Sequence, residues 1–283
     1  MTEHDMLDGN PASEIDLTFE VLNRDTTYSV IEHLADSLRK TQETPQGALS
    51  DFSLSSRIAI GLDTNALFRI GLNGASGADA VDYLASVHDA PLIIPGQVVQ
   101  EVWNNALSAV QPNAKRIKKE IEDLSSEVEK LDRSLGPHSE ELITAAHAFT
   151  QWHGDWIDEN NQKAFVGTLS NLAARAISKS VPRVRFSRLA QIRNDTKTPP
   201  GFADPDSNHG DFFVWADFLY ALASSDLTDV HGVLLITEDQ KQDWSRTGVA
   251  HPVLSAEVEA LTGLPFAVCT LKQFYTLVRE VTK

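Results

Sequence analysis

One cysteine in 283 residues, Cys269, has no intramolecular partner for a disulfide and excludes a cysteine-rich metal site. No apolar run approaches the roughly 20 residues that span a bilayer, and Met1 to Asn10 is acidic and polar, so the expectation is a soluble, cytoplasmic protein with no membrane partner. Positive charge is scarce. There are 24 Lys and Arg against 40 Asp and Glu, a formal net charge of -16, which argues against a general duplex-DNA coat protein and against adhesion to an anionic surface. A nucleic-acid enzyme with one local basic face is still compatible with that total. A nucleotide phosphate loop is also missing: Gly71-Leu-Asn-Gly-Ala-Ser-Gly lacks the Gly-Lys-Ser/Thr ending and does not open directly from a strand. What is present is 42% apolar residues, enough for a buried core in one elaborated domain or two small ones.

The chain is organised around Arg57 to Arg69. Ile58 to Leu62 is a short apolar run suited to a strand covered on both faces, and Asp63 ends it. In open α/β sheets, ligands sit outside the carboxyl ends of the strands, so this carboxylate stands at the usual place for chemistry. It is equally suited to be a plain helix cap. Before it, Met1 to Ser56 reads as an acidic helical extension and linker of net charge -8. One docked helix is expected there, carried by Tyr28, Ile31, Leu34 and Leu38.

After it, Ala78 to His88 reads as a helix with Val81, Leu84 and Val87 inward. Leu92 to Ile94 is a short strand, and Pro95 opens a helix whose apolar face is Val98, Val99, Val102 and Trp103. Glu101 lies among those hydrophobes and needs a partner, whether a cation, a hydrogen bond or a metal. From Ala106 to Lys179 the text is almost wholly helical, with Lys115 to Leu135 pairing with Ser139 to Trp156 across Gly136-Pro137. Residues 106–197 therefore read as a helical insertion.

Charge reverses between Asn171 and Pro200. Arg175, Lys179, Arg183, Arg185, Arg188, Arg193 and Lys197 face only Asp195, so this stretch carries +6 and the remaining 253 residues carry -22. Such asymmetry marks an anion-binding face, a solvated helix face or a partner for the acidic extension. A Pro- and Gly-rich loop then ends at Gly210, and Asp211 opens a helix with Phe212, Trp215, Leu219 and Leu222 inward. Gly232 to Ile236 is a buried strand that stops at Thr237-Glu-Asp239. Leu254 to Thr262 and Leu271 to Val278 are helices around a last strand, Phe266 to Cys269.

Ile60-Gly-Leu-Asp63-Thr-Asn65, Ile94-Pro95 through Glu101, Gly210-Asp211 and Ile236-Thr-Glu-Asp239 stand in the order found in PIN-domain nucleases. The chain resembles that family from about Arg57 to Lys283. More narrowly it is similar to a large bacterial PIN-like group with a helical insertion, through Pro199-Pro-Gly-Phe202, Gly210-Asp-Phe-Phe-Val-Trp215 and Thr237-Glu-Asp-Gln-Lys-Gln-Asp-Trp244. Glu238 departs from the second Asp expected there, and Ala106 replaces a basic residue.

The resemblance implies a PIN-like three-layer α/β fold around a mainly parallel sheet. It also implies hydrolysis of phosphodiester bonds in single-stranded or structured RNA, leaving 5′-phosphate ends, with a toxin or phage-defence system as one setting. On this reading Asp63, Glu101, Asp211 and Asp239 hold Mg²⁺ or Mn²⁺, because four clustered carboxylates repel one another until a hard cation neutralises them. Asn65, Thr237 and Asp243 orient them. Arg183, Arg185, Arg188, Arg193 and Lys197 grip the RNA backbone. The rival reading is an inactive PIN-like scaffold that binds RNA or a protein. Phosphatases of the haloacid-dehalogenase type fit less well, since they need a second acid where Asn65 stands. A regulatory protein or the acidic extension are candidate partners, and oligomeric state is open.

Overall fold

The apolar run Ile58–Leu62 forms β1 and pairs in parallel with β2 (Leu92–Ile93) on one side and β4 (Gly232–Ile236) on the other. β3 (Ala176–Ile177) extends the sheet beyond β2, and β7 (Phe266–Cys269) extends it beyond β4, giving five parallel strands in the order β3-β2-β1-β4-β7. Every residue of β1 and β4 is buried, so both faces of the sheet centre are covered. This is the α/β architecture expected of a PIN-like domain. The computed structural model describes residues 11–24, 29–42, 49, 52–71, 74–109, 112–130, 137–152, 159–203, 209–239 and 241–282.

Strand order explains where chemistry can occur. From β1 the chain moves outward to β2 and β3, then crosses back to β4 and moves outward the other way to β7. The carboxyl ends of β1 and β4 therefore flank the point where connections diverge, which is the crevice that open α/β sheets use for ligands. Gly61 sets the depth of packing there. A Cβ at this position would lie 2.4 Å from Cε2 of Phe218, so the missing side chain lets the helix Gly210–Ala223 lie close against β1.

The helices are α1 (Pro11–Asn23), α2 (Val30–Lys40), α3 (Thr64–Ile70), α4 (Gly74–Asp82, continued by a π-helical turn, Tyr83–Val87), α5 (Gly96–Ala109), α6 (Pro112–Lys130), α7 (Pro137–Trp152), α8 (Glu159–Ala173), α9 (Arg183–Asp195), α10 (Gly210–Ala223), α11 (Pro252–Thr262) and α12 (Leu271–Val281). A short antiparallel pair, β5 (Ser245–Arg246) and β6 (Val249–Ala250), precedes α11. Two compact units result: Met1–Val102 together with Thr168–Lys283, and Trp103–Gly167, in which α6 packs on α7. Among the described residues no helix is long and apolar enough to cross a membrane.

Several expectations need correction. The extension docks through two helices: Thr18, Val21 and Leu22 of α1 are buried, and α2 packs on α11 by its polar side, with His33 Nε2 2.6 Å from Glu259, whereas its Ile31, Leu34 and Leu38 are exposed; Tyr28 lies outside the described residues. Part of the Gly71 loop is helical, since α4 begins at Gly74. The π-helical turn rotates Val87 outward, leaving it 62% exposed. The helical stretch is interrupted by β3, and residues from Thr168 onward belong to the sheet's own unit rather than to the inserted one.

Candidate active site

In-register pairing of β1 with β4 ends at Leu62 and Ile236, so Asp63 and Thr237 emerge side by side. Asp63 is 8% exposed and caps α3, its Oδ1 accepting from Asn65 N at 2.5 Å and Ala66 N at 3.4 Å. Its Oδ2 accepts from Thr237 Oγ1, which in turn accepts from Asp239 N at 2.9 Å. Asp63 thus divides its oxygens, Oδ1 to the cap of α3 and Oδ2 to Thr237. Burial pushes its carboxyl up to about 6, the hydrogen bonds from Thr237, Asn65 and Ala66 oppose that rise, and the charge of Asp239 adds to it. Asn65 contributes its backbone N–H here, while its side chain is exposed.

Asp211, in the first turn of α10, joins this group through Lys241. The Lys241 Nζ lies 3.2 Å from Asp211 Oδ2 and 2.8 Å from Asp239 Oδ2, which puts those two carboxylate oxygens within 6.0 Å of one another. Trp244 Nε1 also donates to Asp211 Oδ2, at 3.2 Å. Glu101 comes in from α5: its Oε2 accepts from Thr64 Oγ1 at 2.6 Å and its Oε1 from Gln97 Nε2 at 3.1 Å. Thr64 is the neighbour of Asp63, so Glu101 flanks the group from the β2 side. Val98 and Val102 of α5 are buried, but Val99 and Trp103 are exposed, and the apolar face of this helix is narrower than expected.

Asp243 is fully buried, and its Oδ2 accepts from Gly201 N at 2.8 Å and Ala203 N at 3.1 Å; Oδ1 has no hydrogen-bond partner among the described residues. Its influence on the site passes through this loop, because Gly201 backs Asp211: a Cβ on Gly201 would stand 3.4 Å from Asp211 Cβ. Glu238 turns away from the group, accepting from Leu271 N at 2.9 Å at the start of α12 and pairing with Arg69 at 3.5 Å. The acids are connected in linked pairs rather than in one cage. Among the described residues no group of three or more His, Cys, Asp or Glu side chains is arranged to hold an ion.

The basic row divides. Arg188 and Lys197 are exposed. Arg185 pairs with Asp16 of α1 at 2.6 Å and lies over the Phe19 ring at 4.6 Å, so the acidic extension engages it. Arg183 is committed to the fully buried Asp217 through two 2.8 Å bonds, and Asp217 also accepts from Gln97 N at 2.7 Å and Val181 N at 2.8 Å. Arg193 is the clear correction. It is 3% exposed and bonds Glu257, Leu22 O and Pro199 O, and so has no surface to offer an RNA backbone.

Sequence reading missed Thr64, Gln97, Asp217, Lys241 and Trp244. Lys241 and Trp244 stand inside a quoted motif, but their partner Asp211 is thirty residues earlier or more.

The model of a family described as a PIN-like domain matches residues 128–255, a span that includes Asp211, Asp239 and Asp243 but not Asp63 or Glu101. No curated protein and no solved structure matches significantly. That match, on a five-stranded parallel sheet with acidic residues at its carboxyl edge, shows a PIN-like domain segment over residues 128–255, from a family whose members are generally nucleases.

Proposed function

We propose that the chain is a divalent-metal-dependent endoribonuclease whose acids are Asp63, Glu101, Asp211 and Asp239. The observation that carries this reading is the linkage of three of them: Asp63 and Asp239 share Thr237, and Asp211 and Asp239 share one cationic group. An oxygen-only donor set suits Mg²⁺ or Mn²⁺, and the Asp63 carboxyl, raised by burial with the charge of Asp239 adding to it, is a group whose ionised form a hard cation would stabilise. When bound, such an ion supplies an acidified water and neutralises charge on the phosphate under attack.

The chain's own residues do the positioning. Thr237 and the first turn of α3 fix the Asp63 carboxylate, Thr64 and Gln97 fix Glu101, and Trp244 fixes Asp211. Arg188 and Lys197 supply exposed positive charge for an RNA backbone. RNA as the substrate class follows from the family resemblance.

The test is end-labelled single-stranded and hairpin RNA incubated with Mg²⁺ or Mn²⁺. Wild type cleaves, while Asp63→Asn and chelated wild type do not. Cleavage that survives both refutes the assignment, and tight RNA binding without cleavage under either ion selects the inactive-scaffold alternative.

A further inference from the structure

The Lys241 side chain stands where a positive charge is most needed. Its backbone N–H donates to Asp239 Oδ1 at 2.8 Å, which anchors the residue, and its four-carbon stem then carries Nζ back between Asp239 Oδ2 and Asp211 Oδ2. The two carboxylates come from different elements, one from the end of β4 and one from the start of α10. The ammonium therefore ties together backbone segments that share no strand pairing. Its side chain is 36% exposed, so the bridge borders water, where a dissolved cation can reach the same oxygens.

Resting on the metal site proposed above, we infer that Lys241 is a built-in counter-ion that a divalent cation must displace from Asp211 and Asp239. The physical argument is competition for the same oxygens. A single ammonium relieves the repulsion between the two carboxylates in the metal-free protein, and a doubly charged ion relieves it more completely at the cost of expelling Lys241. Lys241 accordingly lowers metal affinity while it stabilises the metal-free fold. The released ammonium then lies at the rim of the site, within reach of a bound phosphate.

The experiment is Mn²⁺ binding, followed by electron paramagnetic resonance and calorimetry, to full-length wild type, Lys241→Met and Lys272→Met. Lys272 is an exposed residue in the first turn of α12, on the same edge of the sheet. Lys241→Met keeps most of the stem and the backbone bond. It is expected to bind Mn²⁺ about three- to tenfold more tightly, the range for losing two partly exposed ion pairs. It should melt below wild type without metal, and the gap should close at saturating Mn²⁺. Lys272→Met should match wild type. Unchanged or weaker Mn²⁺ binding by Lys241→Met overturns the inference, as does equal tightening in Lys272→Met, which would make the effect one of general charge. If wild type binds no Mn²⁺ at all, the metal site itself falls, and this inference with it.

Discussion

Thr237 Oγ1 donates its proton to Asp63 Oδ2 while accepting the N–H of Asp239, so one hydroxyl sets the position of a carboxylate on a neighbouring strand and the backbone of a second acid. The arrangement depends on the register of β1 against β4. Thr237→Val keeps the shape and removes both roles, leaving Asp63 buried without that donor. Mn²⁺ affinity and RNA cleavage should fall about 10- to 100-fold, the usual effect of losing an orienting partner. Thr237→Ser should retain most of both. Equal activity in Thr237→Val and wild type would contradict this role.

Asp63 also makes stability depend on pH. Its carboxyl ordinarily titrates at 3.8 and in the fold is pushed up to about 6, chiefly by burial. The folded protein thus holds this proton more tightly than the unfolded chain does. Below about pH 4 both states are protonated and nothing is lost. As pH rises from about 4 to 6 the unfolded chain ionises while the fold still holds its proton, and the metal-free fold loses on the order of 3 kcal/mol, a loss complete once the buried carboxylate ionises above 6. Asp63→Asn should therefore be more stable than wild type at pH 7 in chelator, by about 1–3 kcal/mol, with the advantage vanishing near pH 4. Denaturant titrations at the two pH values measure it.

Gly61 and Phe218 offer a packing test. A methyl at Gly61 would meet the Phe218 ring at 2.4 Å and the Leu235 Cδ1 at 3.0 Å, so Gly61→Ala should destabilise the fold by about 1–3 kcal/mol. The shorter Phe218→Leu should recover part of that loss in the double variant. Because α10 carries Asp211, Gly61→Ala should also reduce cleavage by the remaining folded protein, measured at a temperature where it is fully native.

What the sequence made legible was local. Ile58–Leu62 and Gly232–Ile236 declare themselves as buried strands, and Asp63 and Thr237 follow them directly, so their meeting needed only parallel pairing. β3 was hidden because two residues of strand leave no pattern in a helical text. The α2 stripe of Ile31, Leu34 and Leu38 shows why periodicity is incomplete: it identifies an apolar face, but α2 packs on α11 by its polar side, through His33 and Glu259, and leaves the stripe exposed. Arg193 looked like its basic neighbours because its partner Glu257 lies 64 residues on. Lys241 and Trp244 could not be assigned to Asp211 without the fold.

Arg193 should act as a core residue. Its guanidinium bonds both Glu257 oxygens, and Trp215 Nε1 donates to the same carboxylate at 2.7 Å, all of it buried. Arg193→Met leaves Glu257 charged and short of its partner in the interior, which should cost about 3–5 kcal/mol. Arg193→Met with Glu257→Gln should be less damaging than the single change. A loss of RNA affinity with unchanged melting temperature would restore Arg193 to the surface row.

Arg188 and Lys197 make the opposite prediction, because both are exposed. In an Asp63→Asn background that binds without cutting, each alanine substitution should leave melting unchanged. Each should also flatten the dependence of log affinity for single-stranded RNA on log salt by about 0.7, one phosphate contact's worth. Arg185 is held by Asp16 of α1, so Asp16→Asn should free it and strengthen RNA binding about two- to threefold at low salt, an advantage that fades as screening sets in. Fluorescence anisotropy across a salt series checks all three. No change in slope for either alanine variant would place the RNA path elsewhere on the protein.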